Sequence, residues 1–227
     1  MERHFQRELE SLKTSLIKMG SVVEENIAFA IRSVLEKRND LTHKVIETDK
    51  RVDALEIEID NAVIDLLALQ QPVASDLRFI IAAQKINNDL ERIGDHAVNI
   101  AEAAETICSL SKVEMLEEIP TMADITKMML KDALDSFILL DPAKARLVLE
   151  TDDQIDDLNR LVARRIIELV KSNTQTIECG LELNRVSRNL ERVADLATNI
   201  AEEVIFQTQA RVVKHHADEK EQSKSTS

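Results

Sequence analysis

The chain has 227 residues and a formal charge of −13, with three Gly, three Pro, no Trp and no Tyr. Such a small supply of turn and aromatic residues excludes a β-sandwich or an α/β fold and leaves an all-α protein built from Leu, Ile, Ala, Glu, Lys and Arg. The negative charge excludes a general nucleic-acid binder, which needs clustered Lys and Arg, and suits a protein that binds cations or basic protein surfaces.

In chain order, the first element is a long helix over 3–38, with Leu9, Leu12, Leu16, Met19, Val23, Ile27, Ala30, Ile31 and Val34 at helical spacing. Asn39-Asp40 breaks it, and Asp40 is a candidate cap for a second helix running to Leu69. Its seam is Val45, Val52, Ile59 and Leu66, with Leu55, Ala62 and Leu69 alongside. Gln71-Pro72 ends it, because the residue before proline leaves the α region. A third helix spans about 75–110, with one row of Ala83, Leu90, Ala97 and Ala104 and another of Ile86, Ile93, Ile100 and Ile107.

The pattern fades over 111–119, and the join between halves is expected there, before Pro120. A fourth helix is predicted over 121–140 and a fifth over 142–171, restarted by Asp141 as N-cap and Pro142 at the first helical position. Residues 172–180 read as a loop or a weak helix start, and a sixth helix covers 181–213. The polar remainder, 214–227, is expected to be a disordered tail. No apolar run reaches the ~18–20 residues of a membrane span, and the N-terminus lacks an apolar signal core. A cytoplasmic protein without direct membrane insertion is expected. Cys108 and Cys179 are the only cysteines, without a CxxC, and read as two buried reduced thiols rather than a disulfide framework.

The chain repeats itself. LERIGDHAVNIAE at 90–102 returns as LERVADLATNIAE at 190–202, identical at nine of thirteen positions. Glu47-Thr48-Asp49, Asp53 and Leu55 return as Glu150-Thr151-Asp152, Asp156 and Leu158. Two echoes in the same order mean one duplicated unit, and so two tandem three-helix bundles, 1–112 and 117–213.

Acidic residues repeat most faithfully, and a core does not require them. On the third helix Glu91, Asp95, Asn99 and Glu102 fall away from the seam, and on the second so do Asp49, Asp53, Glu56 and Asp60. Each half therefore offers two acid-x-x-x-acid pairs: Asp49/Asp53 with Glu91/Asp95, and Asp152/Asp156 with Glu191/Asp195. Acid following acid at i+4 is mildly destabilising on a helix, where Glu–Lys pairing is the usual arrangement. Such a cluster needs cations, or else its carboxylate pKa values rise. Oxygen-only donors favour Mg²⁺, Ca²⁺, Mn²⁺ or iron over structural zinc. The other conspicuous residues read as structural. Gly94 and Ala194 allow close helix approach, and Arg92 and Arg192 pair with carboxylates of neighbouring helices. His96 is absent from the second half and is not an essential ligand.

Three readings follow from the residues. One is a non-enzymatic regulatory adaptor with bound metal, and another is a metal-free helical scaffold. The third is a Mg²⁺-dependent prenyl diphosphate enzyme, because Asp152-Asp153-Gln154-Ile155-Asp156 matches a DDxxD pattern. Against the enzyme, the first half has only Asp49-Lys50 before Asp53, and five Phe hardly furnish a carbocation pocket.

With its duplicated LERxxDxxxNIAE strings and paired acidic motifs, the chain resembles the PhoU family of accessory regulators of phosphate transport and phosphate signalling, over nearly its whole length to about residue 213. The resemblance implies a cytoplasmic, six-helix homodimer, peripheral to the inner membrane through its partners. It also implies a multinuclear cluster of iron, manganese, magnesium or zinc on the carboxylates. The implied partners are the ATPase of a phosphate ABC transporter and a phosphate-sensing histidine kinase, through which the phosphate-starvation response is repressed. The implied metal positions are Asp49, Asp53, Glu91, Asp95, Asp152, Asp156, Glu191 and Asp195, with Asn99 and Asn199 as weaker candidates. In the second half Glu56 and Asp60 become Asn159 and Ala163, so metal occupancy there is expected to differ.

Overall fold

The computed structural model describes residues 2–70, 72, 74–110 and 115–209, and among these the regular structure is helical throughout. The helices are α1 (Glu2–Leu35), α2 (Asn39–Gln70), α3 (Ala74–Ser109), α4 (Glu118–Leu139), α5 (Pro142–Ser172) and α6 (Ile177–Gln209), with a 3₁₀ turn at Thr174–Thr176. α1, α2 and α3 pack together, as do α4, α5 and α6, and the two sets join mainly along α3–α6 and also through α1–α4.

The apolar rows account for this packing. Every seam residue expected on α1 is buried, and both rows of α3 are fully buried. α3 needs two rows because it packs against α1, α2 and α6. On α2 the expectation fails at one end: Leu69 is exposed, Ala62 is part-buried, and Val63 supplies the buried contact. Past Leu66 the helix runs beyond the neighbours that would cover it.

The duplication reaches the turns. Lys37 and Leu140 both adopt left-handed backbone, at φ 53°. Ser33 and Ser136 each donate to the carbonyl three residues back, Ala30 and Ala133, at 2.7 Å. Leu140 ends α4, and the Asp141 carboxylate then accepts from Ala143 N at 2.9 Å and Lys144 N at 3.1 Å, capping α5 as the Asp-Pro pair predicts.

Other boundaries differ. α1 ends at Leu35, three residues early, because the chain turns at Lys37. Asp40 lies within the first turn of α2 and is bound by Arg38 at 2.6 Å. α4 begins two residues before Pro120, which the first turn tolerates because its N–H groups have no helical acceptor. α6 begins at Ile177, after a turn capped by Asn173, whose side chain accepts from Gln175 N at 3.0 Å. Residues 111–114 and the tail at 214–227 lie outside the described residues.

Both sets of helices contribute to one continuous buried cluster. The two three-helix bundles thus pack together along α3 and α6 and share buried residues there.

Candidate functional site

In the first half the structure gathers the expected acids on adjoining faces of α2 and α3. Burial first, and then the charges of Asp53 and Asp95, push the Asp49 carboxyl up to about 6. Glu91 is raised by burial and then by Asp95, Glu56, Asp53 and Asp49. Glu56 is raised by burial, Asp60, Asp53 and Asp95. Every charged neighbour acting on these three groups is acidic. Among the described residues, no Lys or Arg forms an ion pair with Asp49, Asp53, Glu56, Glu91 or Asp95. Glu56 belongs to this patch although its pairing spacing did not mark it as a ligand. Its place on the same stripe of α2 was the available signal.

Gly94 sets the closeness of the two helices. A Cβ there would stand 2.8 Å from Asp49 Oδ1 and 3.4 Å from Val52 Cγ1, so Asp49 lies directly over the α3 backbone. The equivalent residue in the second half is Ala194.

The second half is partly neutralised. Asp195 and Asp156 come into electrostatic range of each other, but Arg192 holds Asp195 at 2.9 Å and Arg160 lies 3.8 Å from Asp156. Burial raises the Asp195 pKa, while Arg192 and His96 pull it down. Asp152 and Glu191 are part-buried on α5 and α6. The two arginines expected to reach neighbouring helices pair within their own: Arg92 with Asp89 at 3.8 Å, and Arg192 with Asp195. Three- and four-residue spacing on one helix already brings such groups together.

Asn99 and Asn199 both make contacts across the α3–α6 seam. Asn99 Oδ1 accepts from Arg185 at 3.3 Å, and Asn199 bonds the carboxylate of Asp89. Asp89 was not visible as special in the sequence. Packing against α6 buries it and raises its pKa to about 6, opposed by Arg92 and Asn199. His96 Nδ1 meets Asn189 Oδ1 at 2.8 Å on the same seam.

The donor chemistry of the first-half patch fits a hard cation: it is all carboxylate oxygen, half-buried at Asp49 and without basic counter-charges. Its geometry is unfinished, for among the described residues no three His, Cys, Asp or Glu side chains converge as ligands on one point. Side-chain rotation would have to complete a coordination sphere. In the second half, Arg192 and Arg160 already supply the positive charge that a cation would bring.

Fold and site define a class: an all-α protein of two related three-helix halves, packed together along one helix of each and carrying related acidic patches. The PhoU domain family matches this chain twice, over residues 16–104 and 119–204. The chain belongs to the PhoU family. The phosphate-specific transport system accessory protein PhoU homolog of Aquifex aeolicus is 38% identical over 215 residues, which cover 94% of this chain and 97% of that protein. The phosphate-specific transport system accessory protein PhoU of Escherichia coli (strain K12) is 32% identical over 211 residues, 93% of this chain and 88% of that protein. The crystal structure of PhoU from Pseudomonas aeruginosa superposes with a TM-score of 0.89 at 32% identity, covering 91% of this chain and 100% of that one. The phosphate transport system regulatory protein PhoU from Streptococcus pneumoniae gives 0.86 at 30% identity, covering 93% and 100%. This is a family of accessory and regulatory proteins rather than enzymes, which removes the prenyl diphosphate reading of Asp152–Asp156.

Proposed function

We propose that this protein is a negative regulator of phosphate uptake and phosphate-starvation signalling. It acts as a cytoplasmic homodimer that contacts the ATPase of a phosphate ABC transporter and a phosphate-sensing histidine kinase. The observation that carries this reading is the PhoU match over both halves, supported by relatives that cover nearly the whole chain. No described helix is long and apolar enough to cross a membrane, so attachment to the membrane would run through those partners.

In this reading Asp49, Asp53, Glu91 and Asp95, with Glu56 beside them, would hold one or more ions of iron, manganese or magnesium. A bound cation would supply positive charge where five carboxylates repel one another. Asp49 lies over Gly94, where α2 and α3 approach each other closely. Asp152, Asp156, Glu191 and Asp195 would form a weaker second site, because Arg160 and Arg192 compete for two of the acids. The metal-free adaptor is the second reading, favoured by the lack of three converging ligands among the described residues.

The test has two arms. Deleting the gene should derepress phosphate-starvation genes in high phosphate, and the wild-type copy should restore repression. Unchanged repression in the deletion strain would reject the regulatory role. In the second arm, elemental analysis of protein purified without chelator should find stoichiometric metal that Asp95→Ala with Asp195→Ala lowers severalfold. Background metal in the parent protein supports the metal-free adaptor, and full repression by a metal-depleted variant denies the metal a regulatory part.

A further inference from the structure

α2 carries a second apolar row, on the face turned away from the core. Val52, Ile59 and Leu66 are buried, and half a turn round the helix Ala54, Ile57, Asn61, Ile64 and Ala68 are all exposed. Ile57 and Ile64 are 60% and 61% exposed. The steps of three and four residues along this row are those of a narrow two-helix seam, with isoleucine at one heptad position and Ala, Asn and Ala at the other. The row is about 21 Å long at the helical rise. The fold does not call for it. The duplication that pairs Asp49 with Asp152 pairs these positions with Asp157, Arg160, Arg164, Ile167 and Lys171 on α5, which are also exposed. There the outward face is charged, as a solvated helix face ordinarily is.

Both rims of the α2 row are acidic. On the α1 side stand Glu58 and Asp65, and Ser15 of α1 donates to Glu58 at 3.1 Å. On the α3 side stand Asp53 and Asp60, and Gln84 of α3 donates to Asp60 at 2.7 Å. Among the described residues none of these four acids forms an ion pair with Lys or Arg. Lys50 and Arg51 precede the row, at its N-terminal end. Glu58 and Asp65 lie outside the candidate metal patch, so one rim stays acidic with or without a bound cation. A second copy of this chain would bring the same acids and a formal charge of −13, and is repelled. An anionic membrane surface is repelled for the same reason.

We infer that the outward row of α2 is a docking surface for an amphipathic helix of a partner protein, one whose own apolar seam is flanked by Lys and Arg. Ile57 and Ile64 would pack between the partner's apolar side chains, while Ala54 and Ala68 let its backbone approach. Asn61 sets the register, as a single polar residue does in a two-helix seam. The basic flanks of the partner would meet the two acidic rims, which favours this partner over an acidic one. The inference rests on the regulatory-adaptor reading in taking the partner to be a protein, and it does not need the metal.

The experiment uses the full chain and two labelled synthetic helical peptides of about three heptads. Both have Leu at the seam positions, and one is flanked by Lys, the other by Glu. Fluorescence anisotropy at physiological salt should show saturable binding of the Lys-flanked peptide and none of the Glu-flanked one. Ile57→Gln with Ile64→Gln keeps the charge and the helix propensity and should weaken that binding about tenfold or more. Ile167→Gln, at the counterpart of Ile64, should leave it unchanged. In the deletion strain the double variant, at parental abundance and Tm, should fail to restore repression. The inference is overturned if the Lys-flanked peptide does not bind, or if the double variant binds it as the parent does, since net charge alone would then hold it. It is equally overturned if light scattering finds a parent dimer that the double variant dissociates, because a second copy then covers the row. A double variant that restores repression fully removes the partner role of α2 and leaves the regulatory reading standing. A deletion strain that stays repressed removes that reading instead, and the peptide titration then decides the surface.

Discussion

Asp49 holds its carboxylate over Gly94, and both acids that act on it oppose its ionisation. The consequence for stability has a definite sign. Asp49 titrates at about 6 in the folded chain, against about 3.9 for an unperturbed Asp. The folded state therefore holds the extra proton between those values, and stability falls as pH rises through that window. In chelator, Asp49→Asn should melt above the parent at pH 7–8, and the difference should close below about pH 4. Added Mn²⁺ or Mg²⁺ should raise the Tm of the parent and leave the variant unchanged. Thermal melts across pH, with and without metal, check both statements, and an advantage independent of pH would show that charge is not the cause. The identities of these acids were legible because they repeat in a second half. The seam contacts of Asn99 and Asn199 and the own-helix partner of Arg192 were not, since sequence spacing cannot say which helix face meets a partner and which meets solvent. The contact of His96 with Asn189 was not legible either, because it depends on where α6 lies.

The elements answer to local rules where the local signal is strong. Asp141 followed by Pro142 caps α5 as its chemistry requires, with two backbone N–H groups on one carboxylate. Asp141→Ala should cost about 1 kcal/mol, read as a lower denaturation midpoint at unchanged slope. No loss would mean that water satisfies those N–H groups equally well. Where the signal is weak the boundaries move. The stretch 172–180, expected as a loop or a weak helix start, folds into a short 3₁₀ turn and the first turn of α6, where Cys179 and Leu183 are buried. α4 starts ahead of Pro120 for the opposite reason: a proline is no obstacle in a first turn, and Ile119 and Met122 are buried on either side of it. Helix type and order were readable from apolar period alone, whereas ends depend on which neighbours reach them, as the exposed Leu69 shows.

At the scale of the molecule, the continuous core makes the two homologous halves interdependent. α3 is buried along both its rows, and α6 covers part of it. A fragment of residues 1–110 would uncover the side of α3 that α6 packs on, around Asp89 and His96, and should not form a stable folded monomer. Size-exclusion chromatography with light scattering and a helical melt check this: a monomeric fragment melting cooperatively near the parent Tm would show that the halves fold independently. In the intact chain a single calorimetric transition is expected. What the sequence determined by itself was the all-α class, the duplication and the residue types on each acidic stripe, because apolar period and repeated letters are local properties of a chain. Tertiary structure decided that α3 and α6 weld the halves into one core. It also decided that, among the described residues, the first acidic patch lacks basic partners while the second is answered by Arg160 and Arg192. Those outcomes depend on how separate helices rotate and approach, and that is set by the total burial of both halves rather than by any one segment.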